Sequence, residues 1–266
     1  MFKKLLILLL PVMLQFTVRA QQLPRKIYHG VAITAINDSV KKATGLTAGL
    51  HIDKILPEGT IARTDIAVGD ILLSVNDSIV RTSTELSKLY IQEGFAVRYH
   101  IYRAGKKRIV KGIAQAKPEE KPSVGDTRYV TVPFGKNRLR GILNIPSGTG
   151  PFPAVLFIQG YTCSPVCDLP DWHPYRRIPE GLAANGYIVL RIEKPGIGES
   201  DGPTVCEDMD LLTEAKGFES GLDYLHSLPE VKKEKVFVYG HSLGGIVAPL
   251  LDKNKITGGI AAYGTS

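Results

Sequence analysis

The sequence has few cysteines and lacks the close ligand pairs that a metal site needs. Its 266 residues include only three cysteines, Cys163, Cys167 and Cys206. An odd number leaves one thiol over, and all three pairings are open from the sequence alone. Cys163 and Cys167 share one loop and Cys206 follows a second, which favours a bridge between the loops with Cys163 and Cys206 as structural residues. A zinc site would need a second closely spaced ligand pair, so no metal is expected.

Other absences argue against nucleic-acid and nucleotide binding. The formal net charge is +7, but the basic residues are scattered and no aromatic residues alternate with them, as they do in many nucleic-acid-binding surfaces. The one basic cluster, at 106–111, follows Gly105 in a predicted hairpin and is interpreted as a solvated turn. Gly196 and Gly198 are not followed by the Gly-Lys-Ser/Thr pattern of a phosphate-binding loop. We therefore expect no nucleic acid partner and no cofactor.

Long apolar runs are missing except at the N-terminus. Lys3 and Lys4 precede an almost uncharged apolar run at 5–18, and the run Val18-Arg19-Ala20 places small residues two positions apart before Gln21. This layout is typical of a cleavable secretory signal. The alternative is a membrane anchor, but the run is short for the roughly 20 residues of a spanning helix. We expect residues 1–20 to be a signal peptide and the mature protein to be periplasmic or secreted, with no stable membrane span.

Residues 25–116 show the alternation of half-buried strands. The segment 50–56 roughly alternates apolar and polar residues, and Pro57-Glu58-Gly59 ends it with turn residues. Further elements complete the pattern: strands at 31–33 and 71–75, a helix at 85–91, and a hairpin of 97–102 and 108–113. The sequence predicts a small β-rich domain here.

Two runs in this unit resemble the bacterial PDZ family. Residues 56–62 (LPEGTIA) place a turn with glycine before a short helix, and residues 68–76 (VGDILLSVN) give Gly-Asp, an apolar strand and Val-Asn. The resemblance implies that Tyr28-His29-Gly30-Val31 is the loop whose backbone N–H groups hold a C-terminal carboxylate, while the peptide adds a strand to the sheet edge. His29 replaces the apolar residue usual there. The alternative is a structural or regulatory domain that binds nothing tightly.

The second half of the chain has a different pattern. A polar segment with two prolines, 117–127, is interpreted as a linker. From 128 to 266, strands alternate with helices, which predicts a mainly parallel α/β sheet. The predicted strands form a hairpin at 129–133 and 140–145 and then buried runs at 154–158, 188–192, 236–239 and 260–263. The predicted helices are 178–184, 211–225 and a helix that contains 246–251.

The run Gly240-His241-Ser242-Leu243-Gly244 is a Gly-x-Ser-x-Gly motif between a buried strand and a helix. This context is the one that a nucleophile elbow requires, because a sharp turn must lift the serine hydroxyl above the sheet. Gly240 and Gly244 remove side chains that would clash in such a turn. The alternative is a glycine-rich turn with an idle serine. We predict Ser242 to be a catalytic nucleophile.

Residues 128–266 resemble the N-terminal part of the α/β-hydrolase family. Besides the elbow, the run 157–161 (FIQGY) is similar to the family's oxyanion segment, and the run 191–202 (RIEKPGIGESDG) is similar to its loop after the next strand. The resemblance implies that the backbone N–H groups of Tyr161 and Leu243 stabilise an oxyanion. Glu193 stands where Asp is frequent in the family.

The triad partners of the serine have no counterpart in this sequence. A serine hydroxyl needs a base, and the base needs an acid to orient it. The family order is Ser, then Asp or Glu, then His, yet the segment 243–266 contains no histidine and its one acid, Asp252, lies on the predicted helix of the elbow. His241 is a poor base because it adjoins the serine in a tight turn. We expect a C-terminally truncated chain with an incomplete sheet, its acid and histidine absent, and negligible activity on its own.

These patterns together predict an exported serine hydrolase that cleaves carboxylic esters or related acyl bonds through an acyl-enzyme on Ser242. Two alternatives stay open. One is a serine aminopeptidase-like peptidase on the same machinery. The other is a non-catalytic peptide-binding protein on a hydrolase scaffold. The expected partners are a small-molecule ester or peptide substrate and, at the PDZ-like domain, a C-terminal peptide.

Overall fold

The computed structural model describes residues 22–202 and 209–264. The predicted signal peptide at 1–20 and Cys206 lie outside these described residues. Within them, no helix combines the length and the apolar character that crossing a membrane requires.

The first sheet is antiparallel throughout. Its six strands are β1 (Val31–Ala35), β2 (Leu50–Ile55), β3 (Ile71–Val75), β4 (Ser78–Ile79), β5 (Ala96–Arg103) and β6 (Lys106–Ile113). The strand order is β1-β2-β3-β5-β6, with β4 paired to β3. Its core is formed by the apolar residues of the alternating strands, among them Leu50, Ile52, Leu72, Tyr99 and Ile101.

Two short helices accompany this sheet, α1 (Asp38–Thr44) and α2 (Ser83–Lys88). The sequence misses α1 and misplaces α2, which it predicts at 85–91. Helix α2 begins early because the Thr82 hydroxyl accepts a hydrogen bond from the Glu85 N–H at 3.0 Å, which caps the first turn. It ends early because Ile91 and Gln92 pair with Ile27 and Lys26 as extended chain.

The second sheet is mainly parallel, as expected, and a hairpin at one edge makes it mixed. Its strands are β7 (Asp126–Phe134), β8 (Asn137–Ile145), β9 (Phe152–Ile158), β10 (Ile188–Ile192), β11 (Val231–His241) and β12 (Gly259–Tyr263). In the order β12-β11-β9-β10-β8-β7, the first four are parallel to one another. The hairpin of β7 and β8 is added at the edge beside β10. Strand β8 is therefore antiparallel both to β10 and to β7.

Helices cover both faces of the second sheet. Helix α4 (Leu211–Ser227) buries Ala215, Phe218, Leu222 and Leu225 against one face. Helix α3 (Pro174–Ala184) packs Ile178 and Leu182 against the other face. Both faces of β9 and β10 are therefore covered, and this explains why these strands are nearly continuous apolar runs.

The predicted helix after the elbow ends earlier than expected. Helix α5 spans Leu243–Val247, and a 3₁₀ turn spans Ala248–Leu250. Pro249 lies in that turn and has no N–H to continue an α-helix.

The segment between the two sheets has no helix or strand at 117–125, yet part of it is firmly held. The Glu120 carboxylate is 1% exposed and lies 2.5 Å from the Arg191 guanidinium, which is fully buried on β10. It also accepts the Leu169 N–H at 2.8 Å. Pairing of this kind is what makes a buried charge tolerable.

Arg25 connects the two sheets through acidic residues of the second. Its guanidinium lies 2.9 Å from Glu199 and 2.9 Å from Asp168. Glu199 also pairs with Arg140 of β8 at 2.8 Å. The chain segment before β1 is thus fixed against the loops of the second sheet by largely buried ion pairs.

Candidate active site

Ser242 lies at the turn between β11 and α5 with a backbone conformation of φ 52° and ψ −122°. Such a conformation is strained for a residue with a side chain, and strained residues persist where the surroundings hold them. The Ser242 N–H donates to the Tyr263 carbonyl of β12 at 2.8 Å, and the Gly245 N–H donates to the Ser242 carbonyl at 2.8 Å. The residue is therefore neither helical nor extended, but sits on a sharp turn at the end of a sheet strand.

The two motif glycines are required by close backbone contacts. A Cβ atom on Gly240 would stand 2.3 Å from the Gly244 carbonyl oxygen. One on Gly244 would stand 2.4 Å from the Ile158 carbonyl oxygen at the end of β9. The elbow thus packs directly on the strand that leads into the residues 159–161.

These residues bring Gly160 and Tyr161 next to the serine. A Cβ atom on Gly160 would lie 3.0 Å from the Ser242 Cβ atom. Among the described residues, neither the Tyr161 N–H nor the Leu243 N–H has a hydrogen-bond partner. Two free backbone donors near the serine are what stabilisation of an oxyanion requires.

Two side chains that sequence reasoning missed contact Gly160. The Gly160 N–H donates to the Tyr175 hydroxyl at 3.2 Å. The Gly160 carbonyl accepts a hydrogen bond from the Lys194 ammonium at 3.1 Å. Tyr175 lies in a stretch that the sequence predicts as loop. Lys194 lies in the run 191–202, where the sequence gives it no role. Neither contact was therefore indicated by spacing or periodicity.

The described histidines are not placed as a base for Ser242. The His241 Nδ1 atom lies 3.1 Å from the Tyr175 hydroxyl, and its ring stacks on Tyr263. His226 Nε2 contacts the Lys255 carbonyl at 2.8 Å, and His173 caps α3. In the described part of the chain, the Ser242 hydroxyl makes no hydrogen bond to a histidine or a carboxylate.

Glu193 and the glycine-rich loop after β10 form a buried arrangement beside the site. The Glu193 carboxylate accepts the Glu199 N–H at 2.6 Å, and a Cβ atom on Gly198 would lie 2.0 Å from this carboxylate. Burial raises the pKa of Glu193 to about 8, although the bond from the Glu199 N–H opposes the rise. Glu193 therefore holds the loop by hydrogen bonding.

The predicted peptide loop at 28–31 lines a groove between the two sheets. The groove has a volume of about 370 Å³ and is also lined by Leu86, Leu89, Asp168 and Glu199. The N–H groups of His29 and Gly30 have no partner among the described residues, whereas the carbonyls of residues 28–30 all accept hydrogen bonds.

His29 itself is turned inward. Its Nδ1 atom lies 3.0 Å from the Tyr99 hydroxyl, and burial, with a smaller effect of Lys26, lowers its pKa to about 4. The side chain that departs from the family pattern is thus a neutral core residue, and the loop presents its backbone to the groove.

The cysteines differ in state. Cys163 is disulfide-bonded, Cys167 is a buried free thiol, and Cys206 lies outside the described residues. Burial raises the pKa of the Cys167 thiol well above its usual value. The described residues contain no cluster of three or more potential metal ligands.

Comparison with known proteins adds a family likeness for the second sheet. Residues 136–263 match the family model described as X-Pro dipeptidyl-peptidase (S15 family). Esterase EstD of Thermotoga maritima is 34% identical over 125 residues, which cover 46% of this chain and 29% of the esterase. A probable periplasmic serine endoprotease DegP-like of Pseudomonas savastanoi is 28% identical over 114 residues, covering 41% of this chain and 24% of that protein.

The solved structure of the α/β hydrolase GrgF from Penicillium is 24% identical to this chain, with a TM-score of 0.44. The match covers 52% of this chain and 45% of GrgF. The chain spans less than a third of the length of the curated relatives it matches. The match to the peptidase family includes Ser242, the strand β11 before its turn and the helix α5 after it.

Proposed function

We propose that this chain carries the nucleophile of an exported serine hydrolase, with Ser242 forming an acyl-enzyme on carboxylic esters. The observation that supports this most directly is the strained Ser242 backbone, held between β11 and α5 with Gly160 against it. Residues held in strained conformations, at a cost of about 1–3 kcal/mol each, cluster at active sites.

The proposed reaction has two stages. The Ser242 Oγ atom attacks the ester carbonyl carbon while a base takes its proton, and the bond to the alkoxide leaving group breaks as that group is protonated. A water molecule then attacks the acyl-enzyme and releases the carboxylic acid and the free serine. In both stages the carbonyl oxygen becomes an oxyanion, and the Tyr161 and Leu243 N–H groups face it. One such donor is worth roughly 10²–10³ in kcat in other enzymes.

An ester is the preferred substrate because the Thermotoga relative is named an esterase. The match to a family of X-Pro dipeptidyl-peptidases favours peptide hydrolysis as the second candidate. Both reactions need the same serine and the same oxyanion donors, so the acyl group and the leaving group must be decided by experiment.

The test is a substrate panel with the full-length protein from its native gene and its Ser242→Ala variant. p-Nitrophenyl esters of short and long acyl chains are compared with aminoacyl and X-Pro p-nitroanilides. We expect ester hydrolysis with kcat/KM at least 100-fold above that for the anilides, lost in Ser242→Ala. Efficient release from X-Pro anilides would favour the peptidase, and equal turnover by both proteins would reject the hydrolase.

A second proposed activity is peptide binding at residues 25–116, as a PDZ-like domain. The free N–H groups of His29 and Gly30 and the apolar wall of Leu86 and Leu89 support a site for a C-terminal carboxylate and an apolar last residue. Fluorescence anisotropy with a peptide ending in valine tests it. Binding should be lost when the same peptide is C-terminally amidated, and equal binding of both forms would reject the carboxylate site.

We also propose export of the protein to the periplasm or the medium. The basic start and apolar run of residues 1–20 support it, as does a relative named as periplasmic. N-terminal sequencing of the mature protein should begin near Gln21, and an intact Met1 would contradict the proposal.

A further inference from the structure

Lys194 is a buried charged residue that directly follows the strand β10 and the residue Glu193. Its side chain is 3% exposed, and its ammonium lies 2.9 Å from the Glu214 carboxylate, itself 8% exposed. The same ammonium donates to the Gly160 carbonyl at 3.1 Å. A lysine is rarely buried without a strong reason, because removing its charge from water is costly.

The Gly160 carbonyl belongs to the same peptide unit as the Tyr161 N–H. A trans peptide is planar, and its C=O and N–H bonds point in opposite directions. A cation held at the carbonyl end therefore determines where the N–H end points. It also polarises the amide, since hydrogen bonds in a low-dielectric interior strengthen one another through the groups they share.

The peptide unit before Gly160 is held as well. The Gly160 N–H donates to the Tyr175 hydroxyl at 3.2 Å, and that hydroxyl lies 3.1 Å from His241 Nδ1 of the elbow. With one partner on each side, the two backbone dihedrals of Gly160 have little freedom. The segment cannot rotate away from Ser242 without breaking one of these contacts.

Helix α4 supplies the acid that keeps Lys194 in place, and it approaches closely to do so. A Cβ atom on Gly217 would lie 3.1 Å from the ring of Pro195, the residue after Lys194. Glu214 is one helical turn before Gly217, on the first turn of α4. The buried ion pair thus connects α4, the end of β10 and the residues that face the serine.

We propose that Lys194 is a positioning residue of the hydrolase site, which aims and polarises the Tyr161 N–H through the Gly160 carbonyl. The proposal rests on the proposed function, because it assigns Tyr161 the role of an oxyanion donor. The position of the Tyr161 N–H can be followed by a spectroscopic signal that needs no catalysis, so it can be tested separately from the proposed function.

The test compares Lys194→Met with a matched control, Lys255→Met, in the full-length protein. Lys255 also pairs with α4, through Glu219 and Asp223 at 3.1 and 2.8 Å, but it has no contact with Gly160. The first measurement is the kinetics of phosphonylation by a fluorophosphonate, which give a rate constant and an affinity. The second is the amide resonance of Tyr161 in protein labelled with ¹⁵N-tyrosine. A Tyr161→Phe variant assigns that resonance.

We expect Lys194→Met to lower the phosphonylation rate constant at least tenfold with its affinity within twofold, and to shift the Tyr161 amide resonance. Lys255→Met should change neither. If the wild-type protein is not phosphonylated but the resonance shifts, the positioning is supported and the proposed function fails. An unmoved Tyr161 resonance in folded Lys194→Met overturns the positioning, whatever the rate.

Lys194→Met leaves Glu214 buried without a partner, so the single variant can lose stability. The double variant Lys194→Met/Glu214→Met removes both charges and is judged by the same two measurements. A thermal unfolding curve confirms that each variant is folded before its rate is compared.

Discussion

Gly160 and Ser242 lie so close that a methyl group on Gly160 would stand 3.0 Å from the Ser242 Cβ atom. Residues that are 82 positions apart in the chain meet here because β9 and β11 are parallel neighbours, so that both strands end at the same edge of the sheet. The ends of parallel strands are where α/β proteins commonly place their reacting groups.

This contact predicts the effect of Gly160→Ala. The added methyl group must push either Ser242 or Tyr175, whose hydroxyl it would approach to 3.2 Å. We expect acylation of Ser242 to slow at least tenfold, because misplacement of about 1 Å can cost 10²-fold. Stopped-flow measurement of p-nitrophenol release checks it, and wild-type rates in a folded variant would show that Gly160 is not at the reacting centre.

The elbow glycine predicts a loss of stability. In Gly244→Ala the methyl group would stand 2.4 Å from the Ile158 carbonyl oxygen, which is backbone and cannot rotate away. We expect the free energy of unfolding to fall by about 1–3 kcal/mol, the usual cost of overpacking. Urea denaturation measures it.

The control for this variant is Gly181→Ala. Gly181 lies on the exposed side of α3, where a Cβ atom would meet nothing within 4 Å. Alanine there should leave stability unchanged or raise it by about 0.5–1 kcal/mol. Equal destabilisation by both substitutions would mean that the elbow contact is not responsible.

From the buried Glu120–Arg191 pair we predict that substitutions at these two residues have strongly coupled effects on stability. Glu120→Ala leaves a fully buried guanidinium without its carboxylate, and breaking a buried pair in this way costs about 3–5 kcal/mol. The double variant Glu120→Met/Arg191→Met should be less destabilised than the single variant. Denaturant titration of the wild type, the single variant and the double variant checks this ranking.

The half-exposed pair of Arg128 and Glu230 provides the comparison for that series. Arg128→Ala should change stability by no more than about 1 kcal/mol, as for other surface pairs. A loss for Glu120→Ala no larger than this would contradict the role given to Glu120.

Glu193 predicts a dependence of stability on pH. Its pKa is raised by burial to about 8 in the folded chain, against 4.5 for the ordinary carboxyl. Between these values the folded state keeps a proton that the unfolded state has lost, so the free energy of unfolding falls as pH rises. The stabilisation is complete below about pH 4.5 and is lost as pH passes through about 8.

Glu193→Gln tests this dependence because the amide stays neutral. Denaturation from pH 5 to 9 should show a flatter slope in Glu193→Gln than in the wild type, while Glu234→Gln, an exposed substitution on β11, should keep the wild-type slope. Identical slopes for wild type and Glu193→Gln would show that Glu193 is not the group that titrates.

The elements that the sequence predicts well are those with a strong local pattern. The apolar run at 188–192 is observed as β10 with the same bounds, and the hairpin at Ala104-Gly105 is observed between β5 and β6. Helix α1 is missed because Asp38–Thr44 buries no residue and so has no apolar period. Its signals are local: the Asn37 side chain caps it and Gly45 ends it with a positive φ.

The contacts of the site depend on tertiary structure that no local pattern contains. Gly-x-Ser-x-Gly after a buried strand was enough to place Ser242 on a turn. The lysine on the Gly160 carbonyl and the tyrosine on its N–H come from a loop and a helix that fold back over the strand ends. Neither residue type is distinctive in sequence, so only the folded arrangement reveals Lys194 and Tyr175.

The most direct test of the account is identification of the residue that a fluorophosphonate modifies in the full-length protein. After labelling, proteolysis and mass spectrometry, we expect one phosphonylated peptide that contains Ser242, and no label in Ser242→Ala. Labelling of a different residue, or equal labelling of wild type and Ser242→Ala, would contradict the assignment of Ser242 as the nucleophile.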